Sequence, residues 1–191
     1  MRLLLPVCVI STVLLGCAKP HEFFPLKVGN KWTYKVNTGL NTFLENVDIG
    51  RTVPGEAGVT YELSGTSGTS RLSWNNGVLL ATSLSGDHFN PPLPLLDGNK
   101  EAASVSWSGS VYSSGKTYKA SGVLTQDKGT FEVNSQKRKA MSTILTLKIG
   151  DRIVKVESSY VRGMGLVSQI QRTTTGTVER FNRGLEYIGG P

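Results

Sequence analysis

Histidine, cysteine, serine and carboxylate side chains are the groups that could do chemistry in this chain, and they are sparsely placed. Only two histidines occur, His21 and His88. Two imidazoles fall short of the multi-histidine ligand set of a zinc site. Asp87-His88 could supply half of a nucleophilic triad, yet no serine sits in a Gly-x-Ser-x-Gly elbow. Triad partners are also seldom sequence neighbours, so the pair reads as the polar start of a loop. The carboxylates Glu45, Asp48, Glu56, Glu62, Glu101, Glu132, Asp151 and Glu157 are scattered, and no two are singled out for paired acid–base work. Gly163-x-Gly165 lacks the third glycine and the following helix of a phosphate loop; it reads as a bend or bulge. The expectation is a chain with no catalytic residues, no metal and no cofactor.

The cysteines point elsewhere. Met1-Arg2 opens the chain with a positive charge, an apolar run follows from Leu3 to Leu15, and the small residue Gly16 precedes Cys17. That order is a secretory signal. The run is too short, and too broken by Pro6, to remain as a spanning helix. Leu14-Leu15-Gly16-Cys17 closely resembles the lipobox of bacterial lipoproteins. The resemblance implies cleavage between Gly16 and Cys17, a diacylglyceryl thioether on the Cys17 sulfur and an acyl group on the new amino terminus. Two or three chains, each buried methylene contributing about 0.8 kcal/mol, hold a protein stably on a membrane. Ala18 stands where an aspartate would imply retention at the inner membrane, so the resemblance implies the outer membrane, facing the periplasm. Cys8 leaves with the signal, and no third cysteine exists, so the domain has neither disulfide nor thiol chemistry.

Loss of residues 1–16 leaves 175 of the 191 residues and takes Arg2 alone among the charges, lowering the net charge from +7 to +6. That length suits one domain with a real core. A basic surface suits nucleic acid or anionic membrane. An exported protein does not meet nucleic acid in its normal work, so the charge is assigned to solubility or to anionic envelope surfaces. The expected division is a signal over 1–16, a lipidated tether over 17–22 with a solvated His21, and a single domain over 23–188.

The elements that must position any site have the period of two that marks strands. Trp32, Tyr34 and Val36 alternate with Lys31, Thr33 and Lys35 after a Gly29-Asn30 turn. The opening Phe23-Phe24-Pro25-Leu26, with Gly29 and Trp32-x-Tyr34, resembles a recurrent opening of uncharacterised exported and lipid-anchored bacterial proteins; Gly163-Met164-Gly165-Leu166-Val167 is similar to a later element of the same group. Neither implies an activity. Phe43, Val47 and Ile49 share one parity, with Glu45 the exception. Asn75-Asn76-Gly77 between apolar runs predicts a tight hairpin, because both turn residues accept positive φ. Gln126 to Gly129 predicts another turn, Met141 to Ile149 alternate cleanly, and Gly189-Gly190-Pro191 reads as a frayed end. Pro91, Pro92 and Pro94 exclude a regular ladder over 85–102. That stretch reads as a long apolar loop whose Phe89, Leu93, Leu95 and Leu96 either cap the core or touch a ligand or partner.

With no sustained helical period, the fold class is all-β: a single antiparallel meander of about ten strands, curled as a curved sheet, half-barrel, barrel or sandwich. Two functions fit. Aromatic-rich strands favour a filled core, and with it a structural or assembly role in an envelope protein complex. The alternative is a carrier for an apolar ligand such as a lipid or acyl chain, by architectural analogy with lipoprotein-localisation carriers. A carrier requires an open apolar cavity; an assembly role requires a filled core and an exposed patch.

Overall fold

A computed structural model describes residues 20–55 and 58–191. The expected signal, its expected cleavage point between Gly16 and Cys17, the expected lipidation at Cys17 and the start of the expected tether lie outside the described residues. The described residues form twelve strands: β1 Lys31–Asn37, β2 Thr42–Gly55, β3 Gly58–Gly65, β4 Gly68–Asn75, β5 Val78–Leu84, β6 Asp87–Asp97, β7 Ala102–Ser113, β8 Lys116–Val133, β9 Gln136–Ile149, β10 Arg152–Val161, β11 Gly165–Thr175 and β12 Val178–Gly189. Each pairs antiparallel with its sequence neighbour, and β12 pairs with β1 to close a barrel. Among the described residues the only helical piece is a 3₁₀ turn at Pro20–Phe23.

Strand alternation divides a dry inside from a wet outside. In β1, Trp32, Tyr34 and Val36 are buried while Lys31 and Lys35 are exposed. In β9, Met141, Thr143, Leu145, Leu147 and Ile149 face in, and Ser142, Ile144, Thr146 and Lys148 face out. This polarity is the reverse of a membrane-spanning barrel, whose lipid face is apolar and whose interior is polar. The hairpins close on residues that accept positive φ. Asn76 and Gly77 sit at +47° and +78°, as the sequence leads one to expect, and Ser85-Gly86, Ser114-Gly115 and Asn134-Ser135 repeat the device.

Three local expectations are corrected. Residues 87–97 form a strand, not a loop. The prolines are tolerated because β6 pairs with β7 only from His88 to Asn90 and then parts from it; the pairing with β5 is interrupted by two register shifts. Beyond Asn90 the seam is bridged by side chains. Trp107 Nε1 donates to the Pro91 carbonyl at 3.1 Å, and buried Gln126 exchanges two 2.8 Å bonds with the Asp97 backbone. Gln126 to Gly129 do not turn: β8 runs straight through them, and Lys128 and Gly129 pair with Met141 and Ala140. At the carboxyl end Gly189 pairs with Thr33, and a Cβ on Gly190 would lie 2.8 Å from the Trp32 ring, so this end is packed rather than frayed.

On the outer face, Glu62 of β3 accepts from Arg51 of β2 and Arg71 of β4, Nε to carboxylate, at 2.8 and 3.1 Å. These bonds, Arg51's first, hold the Glu62 carboxyl below the usual carboxylate range. Lys155 and then Arg172 do the same for Glu157. A lowered folded-state pKa contributes stability above the unfolded carboxylate value, about pH 4.3, and that stability is lost as pH falls through the folded value. Thermal unfolding of Glu62→Gln followed from pH 7 to pH 3 will therefore show a shallower acid limb than the parent. Parallel limbs would remove Glu62 from the account.

Candidate functional site

The barrel interior is part filled and part hollow. Trp107, Leu96, Leu124 and Met141 are buried in its core away from the cavity wall, and Trp74 packs against that core. The remainder is a cavity of about 310 Å³. Its wall is made by inward residues of many strands: Leu63, Leu79, Leu93, Leu145, Leu147 and Leu185 among the apolar ones.

One end of the cavity is sealed by the amino-terminal segment. Pro25 ends the 3₁₀ turn and directs Phe24 inward, where its ring stacks on Trp32 at 5.3 Å and meets Tyr160 edge-on at 6.2 Å. The Phe24 carbonyl accepts from Trp74 Nε1 at 2.9 Å. Trp32 Nε1 donates to the Met164 carbonyl in the β10–β11 turn at 2.6 Å. Gly165 opens β11 at φ +91°, and a Cβ there would press on Trp32 Nε1 at 3.0 Å, so glycine is required for both conformation and space. Gly163-x-Gly165 is thus a hairpin turn that receives the seal: Gly163 N–H donates to the Glu22 carbonyl at 2.7 Å, and Arg162 pairs with the Glu22 carboxylate. His21, at the end of the expected tether, lies edge-on to Trp74 at 5.2 Å.

The opposite end is the mouth. Its exposed wall residues, Ser67, Gly68 and Ser85, belong to the β3–β4 and β5–β6 turns. Inside it lies an ion pair that alternation alone half reveals. Glu45 follows the inward parity of Phe43 and Val47, is 1% exposed, and pairs with Arg183 of β12 across β1. Its other oxygen accepts from Ser67 N–H at 2.7 Å. A Cβ on Gly65 would sit 2.9 Å from Glu45 Oε1, so the glycine makes room for the carboxylate. A register shift between Gln171 and Arg172 opposes Gln171 to Arg183 and leaves Phe181 exposed. The signal for Arg183 was its shared parity with Leu185 and Tyr187; nothing local names Glu45 as its partner.

Two phenols add neutral polarity to the wall. Burial, helped by Tyr160, Tyr187 and Glu45, pushes Tyr34 up. Burial also pushes Tyr160 up to about 12, against a hydrogen bond with Ser158. Both remain protonated at any physiological pH. The expected apolar set is divided: Phe89, Leu93 and Leu95 line the cavity, while Leu96 is fully buried and outside its wall. His88 faces Tyr112 at 6.3 Å, outside the cavity wall. Among the described residues no group of three His, Cys, Asp or Glu could hold a metal, and no helix is long and apolar enough to cross a membrane.

No family profile and no curated protein matches this chain. Two solved structures resemble it. One, a candidate exported protein of Bacteroides fragilis with a YmcC-like fold, aligns over 92% of this chain and all of its own, at 10% identity and a TM-score of 0.41. The other, a candidate lipoprotein of Parabacteroides distasonis, aligns over 88% of this chain and 98% of its own, at 11% identity and a TM-score of 0.53; with it, this chain shares a fold.

Proposed function

We propose that this chain is an exported, lipid-anchored envelope protein that binds a small apolar or amphipathic molecule in its barrel and catalyses no reaction. The carrying observation is the cavity of about 310 Å³, sealed at one end, open at the other and lined more often by leucine than by any other residue. Its size falls at the lower end of ligand pockets, about 300–1,000 Å³. Leu14-Leu15-Gly16-Cys17 supports export and acylation at Cys17, with the outer membrane facing the periplasm as the proposed site. Cys17 lies three residues before the sealing turn at Pro20, so anchoring there leaves the mouth at the far end from the lipid.

The assembly role rests on a different observation. Leu40 and Leu44, in and after the β1–β2 turn, are 94% and 66% exposed, and Phe181 is also exposed. These side chains offer an apolar contact for an envelope protein.

Native mass spectrometry of residues 18–191, purified gently from the organism's own envelope fraction, tests the binding reading. A bound apolar mass is expected, and Leu145→Trp, which places an indole in the cavity, should lose it while keeping the fold. A clean apo mass in the parent would sink the carrier and turn attention to crosslinking at the Leu40 turn.

A further inference from the structure

We infer that the ligand of this lumen is an uncharged amphiphile, an acyl chain with a hydroxyl-bearing neutral head, and that the wall discriminates against fatty carboxylates. The inference rests on the lumen being a binding site and goes on to name the class of molecule bound.

The cavity wall carries three charged side chains, Glu45, Asp87 and Arg183. Two are carboxylates and one is a guanidinium, and the guanidinium is already paired with Glu45. A carboxylate head entering from the mouth would pass Asp87 and then meet Glu45. The wall's one cation, Arg183, still has a buried Nε–H without a partner, but its charge is already balanced by Glu45, so a second carboxylate would bring a net negative charge into the lumen. Burying a charge without a partner is expensive, far more so than burying a hydroxyl that finds a hydrogen bond. An ammonium head fares little better, because the Glu45 oxygens are engaged by Arg183 and by Ser67 N–H, and the ammonium would lie beside the Arg183 guanidinium.

A neutral head meets the opposite conditions. Tyr34, Tyr160, Ser70 and Gln171 line the cavity with groups that donate or accept without charge. Tyr34 and Tyr160 lie near the buried ion pair and the sealed end; Ser70 and Gln171 lie toward the mouth. The Arg183 Nε–H, buried without a partner, can also donate to a hydroxyl without adding charge to the lumen. Discrimination of this kind comes from the penalty placed on the wrong ligand as much as from contacts to the right one.

The test is a chain-matched series titrated into the mature chain at pH 8: monododecanoylglycerol, dodecanol, dodecanoate and dodecylamine, followed by calorimetry. The two neutral compounds are expected to bind at least tenfold more tightly than the carboxylate and the amine. Glu45→Gln removes one carboxylate and frees Arg183, so it should raise dodecanoate affinity tenfold or more and narrow or invert the preference. Asp87→Asn, at the partly exposed rim, is the milder variant for the case in which Glu45→Gln does not fold; it should narrow the preference several-fold, raising dodecanoate affinity more than monododecanoylglycerol affinity. Equal or tighter binding of dodecanoate or dodecylamine by the parent would overturn the inference and leave the lumen as a binding site. An unchanged preference in both variants would overturn it too. Failure of all four compounds to bind would overturn the lumen reading itself and this inference with it.

Discussion

Glu45→Ala will destabilise the barrel by about 3 kcal/mol, at the lower end of what removing one partner of a buried ion pair costs. The lower end applies because Arg183 keeps about a quarter of its side chain exposed, so water recovers part of the loss. The cost arises from what is left behind. Arg183 would remain in an apolar barrel with its one carboxylate gone, and its Nε is already buried without a hydrogen-bond partner. The Ser67 N–H would also lose its acceptor. If that account holds, Glu45→Leu combined with Arg183→Leu will recover most of the loss, because apolar replacement of a whole buried pair is often neutral or stabilising. Equilibrium urea unfolding of the single and double variants checks this. A double variant as unstable as the sum of the singles would show that the pair matters through packing and not through charge.

The second large effect is at the seal. Trp32→Ala will cost about 4 kcal/mol, within the range for truncating a buried tryptophan. Trp32 is 1% exposed, stacks on Phe24 and donates to Met164. Its removal therefore does more than open a void: it releases the surface on which the amino-terminal segment lies. Trp32→Phe keeps a ring against Phe24 but leaves the Met164 carbonyl without its donor, and should cost only about 1–2 kcal/mol. Unfolding measures both costs, and limited chymotrypsin digestion separates the causes. Cleavage after Phe23, the Phe24–Pro25 bond being resistant to chymotrypsin, should become fast in Trp32→Ala and stay slow in Trp32→Phe. Equal protection in the two would mean that Trp74 and Arg162 hold the seal without Trp32.

What could be read from the sequence was whatever two adjacent strands settle between themselves. Trp32, Tyr34 and Val36, the run from Met141 to Ile149 and the Asn76-Gly77 turn are local patterns, and each appears in the barrel as its alternation implies. Residues 87–97 were illegible because Pro91, Pro92 and Pro94 normally forbid a central strand. They are admitted here by a seam in which β6 needs no ladder on its β7 side, and that seam is bridged by Trp107 and Gln126, well separated from it in sequence. Gln126 to Gly129 carry turn-forming residues, but β9 supplies a full ladder and overrides them. The site itself depends on closure. Glu45 and Arg183 are 138 residues apart, and only the β1–β12 pairing brings them to one cavity. Glu45 broke an apolar pattern in its strand, and that local break was the visible trace of the pair.

Closure by the first and last strands also has a consequence in time. A chain made from its amino terminus delivers β1 first and its partner β12 last, so Trp32 to Val36 must wait with one edge unpaired until residues 184–189 arrive. Joining ends so distant in sequence is slow, and a waiting edge invites pairing with another chain. Lys31 and Lys35 stand on that strand and are exposed even in the finished barrel; during the wait they place positive charge along the edge and oppose its pairing with another copy of itself. The last strand to be made is thus also the one that completes the ion pair, so the cavity acquires its buried charge pair only when β12 has joined β1.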